Sequence, residues 1–132
     1  MKIVFTNGCF DILHRGHLEL FRFAKSHGDK LVVGIDSDAK VDRDKGPKRP
    51  INNVEERKFM LESIRWVDEV CVFRDSLELA QLVRDISPDI MVVGSDWRGS
   101  IIVGKEHAGE VKYFDRIEGY STTEIIKSFI DR

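Results

Sequence analysis

Short apolar runs alternate along the chain with stretches whose apolar residues recur at three- and four-residue steps. Residues 2–6 and 30–36 are apolar runs bounded by polar residues or glycine, the pattern of buried parallel strands. Between them, Leu18 with Phe21, and Leu20 with Phe23 and Ala24, mark one face of a helix that begins near Gly16 or His17. Gly28 stands where a left-handed helix stop is expected, so the whole reads as a βαβ unit. Asn53, with Glu56 three residues on, has the form of a capping box and opens a helix carrying Val54, Met60, Leu61 and Ile64. Residues 68–73 read as a strand. Ser76 is placed to cap the helix bearing Leu79, Leu82, Val83 and Ile86; Pro88 ends that pattern, and residues 89–93 supply a buried strand. Residues 111–114 form a further strand, and Ser121-Thr122-Thr123-Glu124 is a capping box leading into Ile125, Ile126, Phe129 and Ile130. Strands alternating with helices in this way imply a single-domain, doubly wound α/β fold over residues 1–132, a parallel sheet with helices on both faces. Ligands of such folds lie beyond the carboxyl ends of the strands, where strand order reverses.

Composition narrows the classes of function. With 42% apolar residues among 132, the chain can build one core but not two catalytic domains. Its 21 basic and 23 acidic residues, net charge −2, form no long single-sign block, which argues against a nucleic-acid partner. Cys9 and Cys71 are too few for a disulfide framework or a four-cysteine zinc site, and point to a reducing, cytoplasmic setting. No run approaches the roughly 20 apolar residues of a membrane span, and residues 1–10 lack the core of a signal peptide. A soluble, unprocessed chain with no membrane partner is expected.

The chemistry concentrates where the first strand runs into Thr6-Asn7-Gly8-Cys9-Phe10-Asp11-Ile12-Leu13-His14-Arg15-Gly16-His17. Two imidazoles, separated by Arg15 and Gly16, sit around the turn that opens the first helix. A helix start exposes unpaired N–H groups and the positive end of its dipole, and Gly8 and Gly16 permit close backbone approach. Polyphosphate is the natural guest. A single such histidine is usually a cap or a solvated side chain; a pair directly after a strand favours a ligand site. Asp11 is placed to orient a histidine, to bind an acceptor, or simply to cap the turn. Taken alone, Ser121 to Thr123 read as a well-capped helix; beside the histidine pair they read as a second phosphate-facing helix start. Arg116, five residues before Ser121, adds a cation. The segment 40–49 has five basic residues against three acidic ones, counting Asp38 just before it, and its plain reading is a solvated loop.

His14-Arg15-Gly16-His17 matches the His-x-Gly-His signature, and the chain resembles the nucleotidyltransferase superfamily that carries it. Lys45-Gly46-Pro47-Lys48-Arg49-Pro50-Ile51-Asn52, followed by Glu56-Arg57, resembles the substrate-side loop of heptose-1-phosphate adenylyltransferases. Gly119-Tyr120-Ser121-Thr122-Thr123 resembles the second family signature, with Tyr120 in place of the commonest isoleucine. Met60-Leu61-Glu62-Ser63-Ile64-Arg65 and Asp96-Trp97-Arg98-Gly99 resemble instead glycerol-3-phosphate cytidylyltransferases.

The resemblance implies a Rossmann-like fold and an enzyme that transfers a nucleoside monophosphate from ATP or CTP to a sugar or polyol phosphate, releasing pyrophosphate. Heptose 1-phosphate is the first acceptor it suggests, and glycerol 3-phosphate the second. His14, His17, Lys45 and Arg116 would be catalytic. Cys9, Phe10, Asp11 and Gly16 would form one side of the nucleotide site, and Gly119, Tyr120, Ser121, Thr122 and Thr123 the other. Lys48, Asp96 and Trp97 would face the acceptor. Mg2+ bound mainly through the triphosphate is the implied cofactor, with no site made by protein ligands alone. A homodimer is the implied assembly, and a separate kinase would supply the sugar phosphate.

Three other readings compete. Gly99 to Lys105 fits the opening of a phosphate loop, but Glu106 stands where Ser or Thr would ligate magnesium. Cys9, Asp11, His14 and His17 are of metal-binding types, at poor spacing for zinc. A nucleotide-binding regulator without turnover would keep the fold; the intact histidines argue against it.

Overall fold

The computed structural model describes residues 1–116 and 121–130. Five strands, β1 (Ile3–Gly8), β2 (Lys30–Asp36), β3 (Glu69–Phe73), β4 (Ile90–Gly94) and β5 (Glu110–Phe114), form one parallel sheet in the order β3-β2-β1-β4-β5. The expected doubly wound α/β architecture is present: the chain winds outward from β1 to β3, then returns to the other side of β1 for β4 and β5.

The reversal of strand order opens a crevice, because the two strands that flank it are barely paired. β1 matches β2 from Ile3 with Lys30 to Gly8 with Ile35, whereas β1 matches β4 only at Val4 with Ile90 and Phe5 with Met91. Beyond Phe5 the two strands part. The Thr6 hydroxyl bridges them by donating to the Val92 carbonyl at 2.8 Å, which satisfies a buried carbonyl that no ladder reaches.

Side-chain alternation divides the core between the two faces. Val33 and Ile35 pack with Phe21 and Ala24 of α1 (Arg15–Ser26) and Leu61 of α3 (Val54–Glu62). Phe5, Val32 and Met91 pack with Leu79 and Val83 of α4 (Ser76–Ile86). Each such side chain contributes about 1.5–3 kcal/mol on burial, so the sheet is held from both sides. Among the described residues, no helix is long and apolar enough to cross a membrane.

Four local expectations change. Gly28 is not a left-handed stop: α1 ends at His27 in a right-handed conformation, and a Cβ on Gly28 would lie 2.7 Å from Val4 Cγ2 and 2.8 Å from the Lys2 carbonyl oxygen. Close approach to β1, not positive φ, requires the glycine. Asp75, not Ser76, caps α4, accepting from Glu78 N at 2.8 Å. Ile64 lies past the end of α3, in the turn that leads to β3. The segment read as a basic loop contains α2 (Asp38–Lys45), capped by Ser37 through Lys40 N at 3.2 Å. Val41 is its single buried residue, so it carries no apolar stripe to announce it. The helix is instead bound by the Lys40–Asp44 pair at 2.7 Å and by Arg43, which donates to the Arg74 carbonyl at 2.9 Å.

Candidate active site

A cavity of about 590 Å³ opens over the carboxyl ends of the strands, where β1 and β4 part. Its centre is the turn between β1 and α1, and that turn is under strain. Phe10 adopts φ 50°, a left-handed conformation unfavourable for a bulky residue. Its ring is buried against His17, with centroids 5.3 Å apart, and against Phe21 at 5.1 Å. A Cβ on Gly8 would stand 3.0 Å from Phe10 Cζ, so a side chain there would press on the Phe10 ring.

Asp11 and Arg57 hold this turn in place. The Asp11 carboxylate is fully buried and accepts from Ile51 N and Asn52 N, both at 2.8 Å, and from Arg49 Nε at 3.1 Å. Asn52 returns the contact by donating from Nδ2 to the Asp11 carbonyl at 2.9 Å. Asp11 therefore ties the loop after α2 to the turn before α1. This clamp on residues 49–52 is a role the sequence did not suggest for it. The Arg57 guanidinium, also fully buried, donates to the carbonyls of Cys9 at 2.9 Å, Asp36 at 2.8 Å and Asn52 at 3.0 Å, and to Asp38 Oδ1 at 2.7 Å. One side chain thus gathers the ends of β1 and β2 and the loop between α2 and α3. In the sequence, the signal for the burial of Arg57 is its place on the apolar stripe between Val54 and Leu61.

His14 and His17 are oriented by the backbone they cap. Gly16 N donates to His14 Nδ1 at 3.0 Å, and His14 N donates to His17 Nδ1 at 3.2 Å. The rings stack 3.8 Å apart at 21°. Because each Nδ1 accepts, each neutral ring carries its hydrogen on Nε2, and both residues line the cavity. Burial pushes the His17 pKa down to about 3, and His14 and Arg116 push it the same way. His14 is lowered too, by burial and by Arg116. Both rings are neutral donors at pH 7.

A pH dependence follows from the sign of that shift. The unfolded chain takes up a proton on His17 near pH 6.5, while the folded chain resists it until about 3. Stability from this group is complete above 6.5 and falls as the pH drops toward 3. The melting temperature should decline across that window, and His17→Gln should flatten the decline relative to wild type. An equal slope in both proteins would refute the assignment.

The remaining candidates fall on three sides of the cavity. Cys9, Phe10, Gly16, Arg116, Ser121, Thr122 and Thr123 line it with the histidines, so the starts of α1 and α5 (Thr122–Ile130) face the same space. The Thr122 hydroxyl donates to the Ile12 carbonyl at 2.8 Å, which seats the start of α5 on the histidine turn. Ser121 Oγ accepts from Glu124 N at 3.4 Å. Gly119 and Tyr120 lie outside the described residues. Lys45 lines the opposite side; Lys48 is exposed and outside the lining, and Arg49 lines it while paired to Asp11. Asp96 and Trp97 line it from the end of β4, in a short 3-10 turn. Burial pushes the Cys9 thiol up, so it is no ready thiolate. Asp36, Lys40, Phe73 and Ser76 also line the cavity and were not anticipated; Asp36 stands at the carboxyl end of an apolar strand, where ligands of this fold bind. The Gly99–Lys105 stretch enters no helix start: Gly104 packs on Val83, and a three-residue 3-10 turn follows.

Comparison with known proteins agrees with the fold. The cytidylyltransferase-like family model matches residues 5–128. The chain is 47% identical over 126 residues to the bifunctional protein HldE of Sulfurimonas denitrificans, covering 96% of this chain and 26% of that protein. It is 48% identical over 126 residues to the bifunctional protein HldE of Helicobacter pylori strain Shi470, covering 96% of this chain and 27% of that one. The chain thus spans about a quarter of the length of the curated relatives it matches. A lipopolysaccharide core biosynthesis protein from Thermoplasma volcanium superposes with a TM-score of 0.69 at 26% identity, covering 92% of this chain and 99% of that one. The family match over nearly all of the chain, the identity to these relatives and the shared fold establish that this chain belongs to the cytidylyltransferase-like family of nucleotidyltransferases.

Proposed function

We propose that this nucleotidyltransferase moves adenylate from ATP to a sugar phosphate, with heptose 1-phosphate as the acceptor, and releases pyrophosphate. The observation that carries this reading is the convergence of two neutral, backbone-oriented imidazoles with the starts of α1 and α5 and with Arg116 and Lys45 on one cavity. An acceptor phosphate oxygen forms a bond to the α-phosphorus as the bond from that phosphorus to the β-bridging oxygen breaks. No covalent enzyme intermediate and no net proton transfer is required. The protein's work is alignment and stabilisation of charge gathering on the pyrophosphate, which suits fixed Nε2–H donors and helix starts. His14, His17, Lys45 and Arg116 take that role, and the turn from Cys9 to Gly16 packs on the nucleotide beside Ser121 to Thr123. Support for the sugar acceptor comes from the loop of residues 45–52, from the relatives named bifunctional protein HldE, and from the neighbour described as a lipopolysaccharide core biosynthesis protein. A homodimer belongs to the same reading, through the family resemblance.

The donor set fits a Mg2+ held by triphosphate oxygens. Among the described residues, no group of three or more His, Cys, Asp or Glu is placed to hold a metal ion, while Asp96 offers a carboxylate at the end of β4. When bound, the cation neutralises charge on the phosphates.

The test is pyrophosphate release from ATP and CTP with heptose 1-phosphate or glycerol 3-phosphate. Release with ATP and heptose 1-phosphate, lost on chelation and restored by magnesium but not zinc, is expected. Preference for CTP and glycerol 3-phosphate would overturn the choice of substrates. Nucleotide binding by calorimetry with no turnover on either acceptor would make the protein a nucleotide-binding regulator.

A further inference from the structure

One lobe of the cavity does not suit phosphate. It lies over the carboxyl ends of β2 and β3 and is lined by Asp36, Lys40, Phe73, Ser76 and Leu79. Asp36 closes the apolar run of β2 two residues after Gly34, and its side chain is only 13% exposed. Its nearest cation, Lys40 Nζ, is 3.7 Å away and is drawn toward Asp44, to which it donates at 2.7 Å. Among the described residues, the Asp36 carboxylate accepts no hydrogen bond, although its backbone carbonyl accepts from Arg57. A half-compensated carboxylate in a cleft repels a phosphate and is short of donors. Neutral hydroxyl groups supply donors without adding charge. Lys40 beside it can donate to a hydroxyl oxygen in turn, and the buried Phe73 ring, 5.9 Å from Lys40 Nζ, gives the lobe an apolar floor.

We propose that Asp36 and Lys40 form the subsite that holds the hydroxyl groups of a polyhydroxylated acceptor. The acceptor then lies with its phosphate toward the histidines and Lys45 and its hydroxyls over the ends of β2 and β3. Charge sets the direction: the carboxylate excludes the phosphate end from this lobe, and the cations and helix starts attract it elsewhere. The assignment rests on the nucleotidyl-transfer reading and adds to it which residues select the acceptor.

Steady-state pyrophosphate release tests it with wild type, Asp36→Ala, Asp36→Asn and Lys40→Met, using whichever of heptose 1-phosphate and glycerol 3-phosphate wild type turns over, and its deoxy analogue. Asp36→Ala should raise the acceptor KM about thirtyfold and leave the nucleotide KM within about twofold, as for loss of one charged hydrogen-bond partner. Asp36→Asn, which keeps one acceptor oxygen and the shape of the side chain, should fall between, and it serves should the alanine variant fail to fold. Lys40→Met should also raise the acceptor KM. Wild type should discriminate against the deoxy analogue, and Asp36→Ala should discriminate less. An unchanged acceptor KM in both Asp36 variants, or a nucleotide KM that rises in parallel, overturns the subsite while leaving nucleotidyl transfer intact. If wild type releases pyrophosphate with neither acceptor, both readings fall together.

Discussion

His17→Ala is expected to lower turnover about a hundredfold, the scale for losing one preorganised donor to developing negative charge. The loss should lie in kcat more than in either KM, because in the proposed mechanism the Nε2–H meets charge that grows only as pyrophosphate departs. Alanine removes two things at once: the Nε2 donor and the Nδ1 acceptor that receives His14 N at 3.2 Å. His17→Asn separates them. Its amide oxygen can replace Nδ1 at the cap, while nothing replaces Nε2. The asparagine variant should therefore melt closer to wild type than the alanine variant and be comparably slow. Normal turnover in either variant would remove His17 from the mechanism.

Arg57→Met is the second large effect, and it should act through architecture. Arg57 is 1% exposed, and its removal takes away the side-chain donor that three backbone carbonyls share. Asp38 loses its partner too, but it is 43% exposed and water can compensate it. A destabilisation of about 3 kcal/mol is expected, which for a domain of this size lowers the melting temperature by about 10 °C. Activity should fall beyond what the unfolded fraction explains, because the same bonds fix the Cys9 turn and the end of β2 against each other. Arg57→Lys should recover little, since one ammonium cannot reach carbonyls on three segments and a carboxylate together. A methionine variant that melts and turns over like wild type would refute the staple.

The histidine turn was legible before any coordinates because its signals are local. A strand, a glycine and two imidazoles separated by two residues are contiguous, and a helix start exposes its N–H groups whatever lies elsewhere. The strand order, by contrast, was readable only as a class: the alternation of runs and helical stretches implied a parallel sheet, and the pairing of β1 with β4 over two residues had no sequence counterpart. Helix α2 was hidden for a related reason. Its eight residues bury only Val41, and its bonds to Asp36 and Arg74 come from outside the helix.

The sequence by itself determined which segments form the strands and, α2 apart, the α-helices, where the histidine turn begins, and which family carries those motifs, since all of these depend on neighbours a few residues away. Tertiary structure decided what the motif residues do. It turned Asp11 into a clamp on residues 49–52, fixed the hydrogen of each imidazole on Nε2, and placed Asp36 and Lys40 in the cleft with the histidines. Hydrogen-bond satisfaction and burial join residues dozens of positions apart, and a side chain's role is set by the partners that folding brings to it.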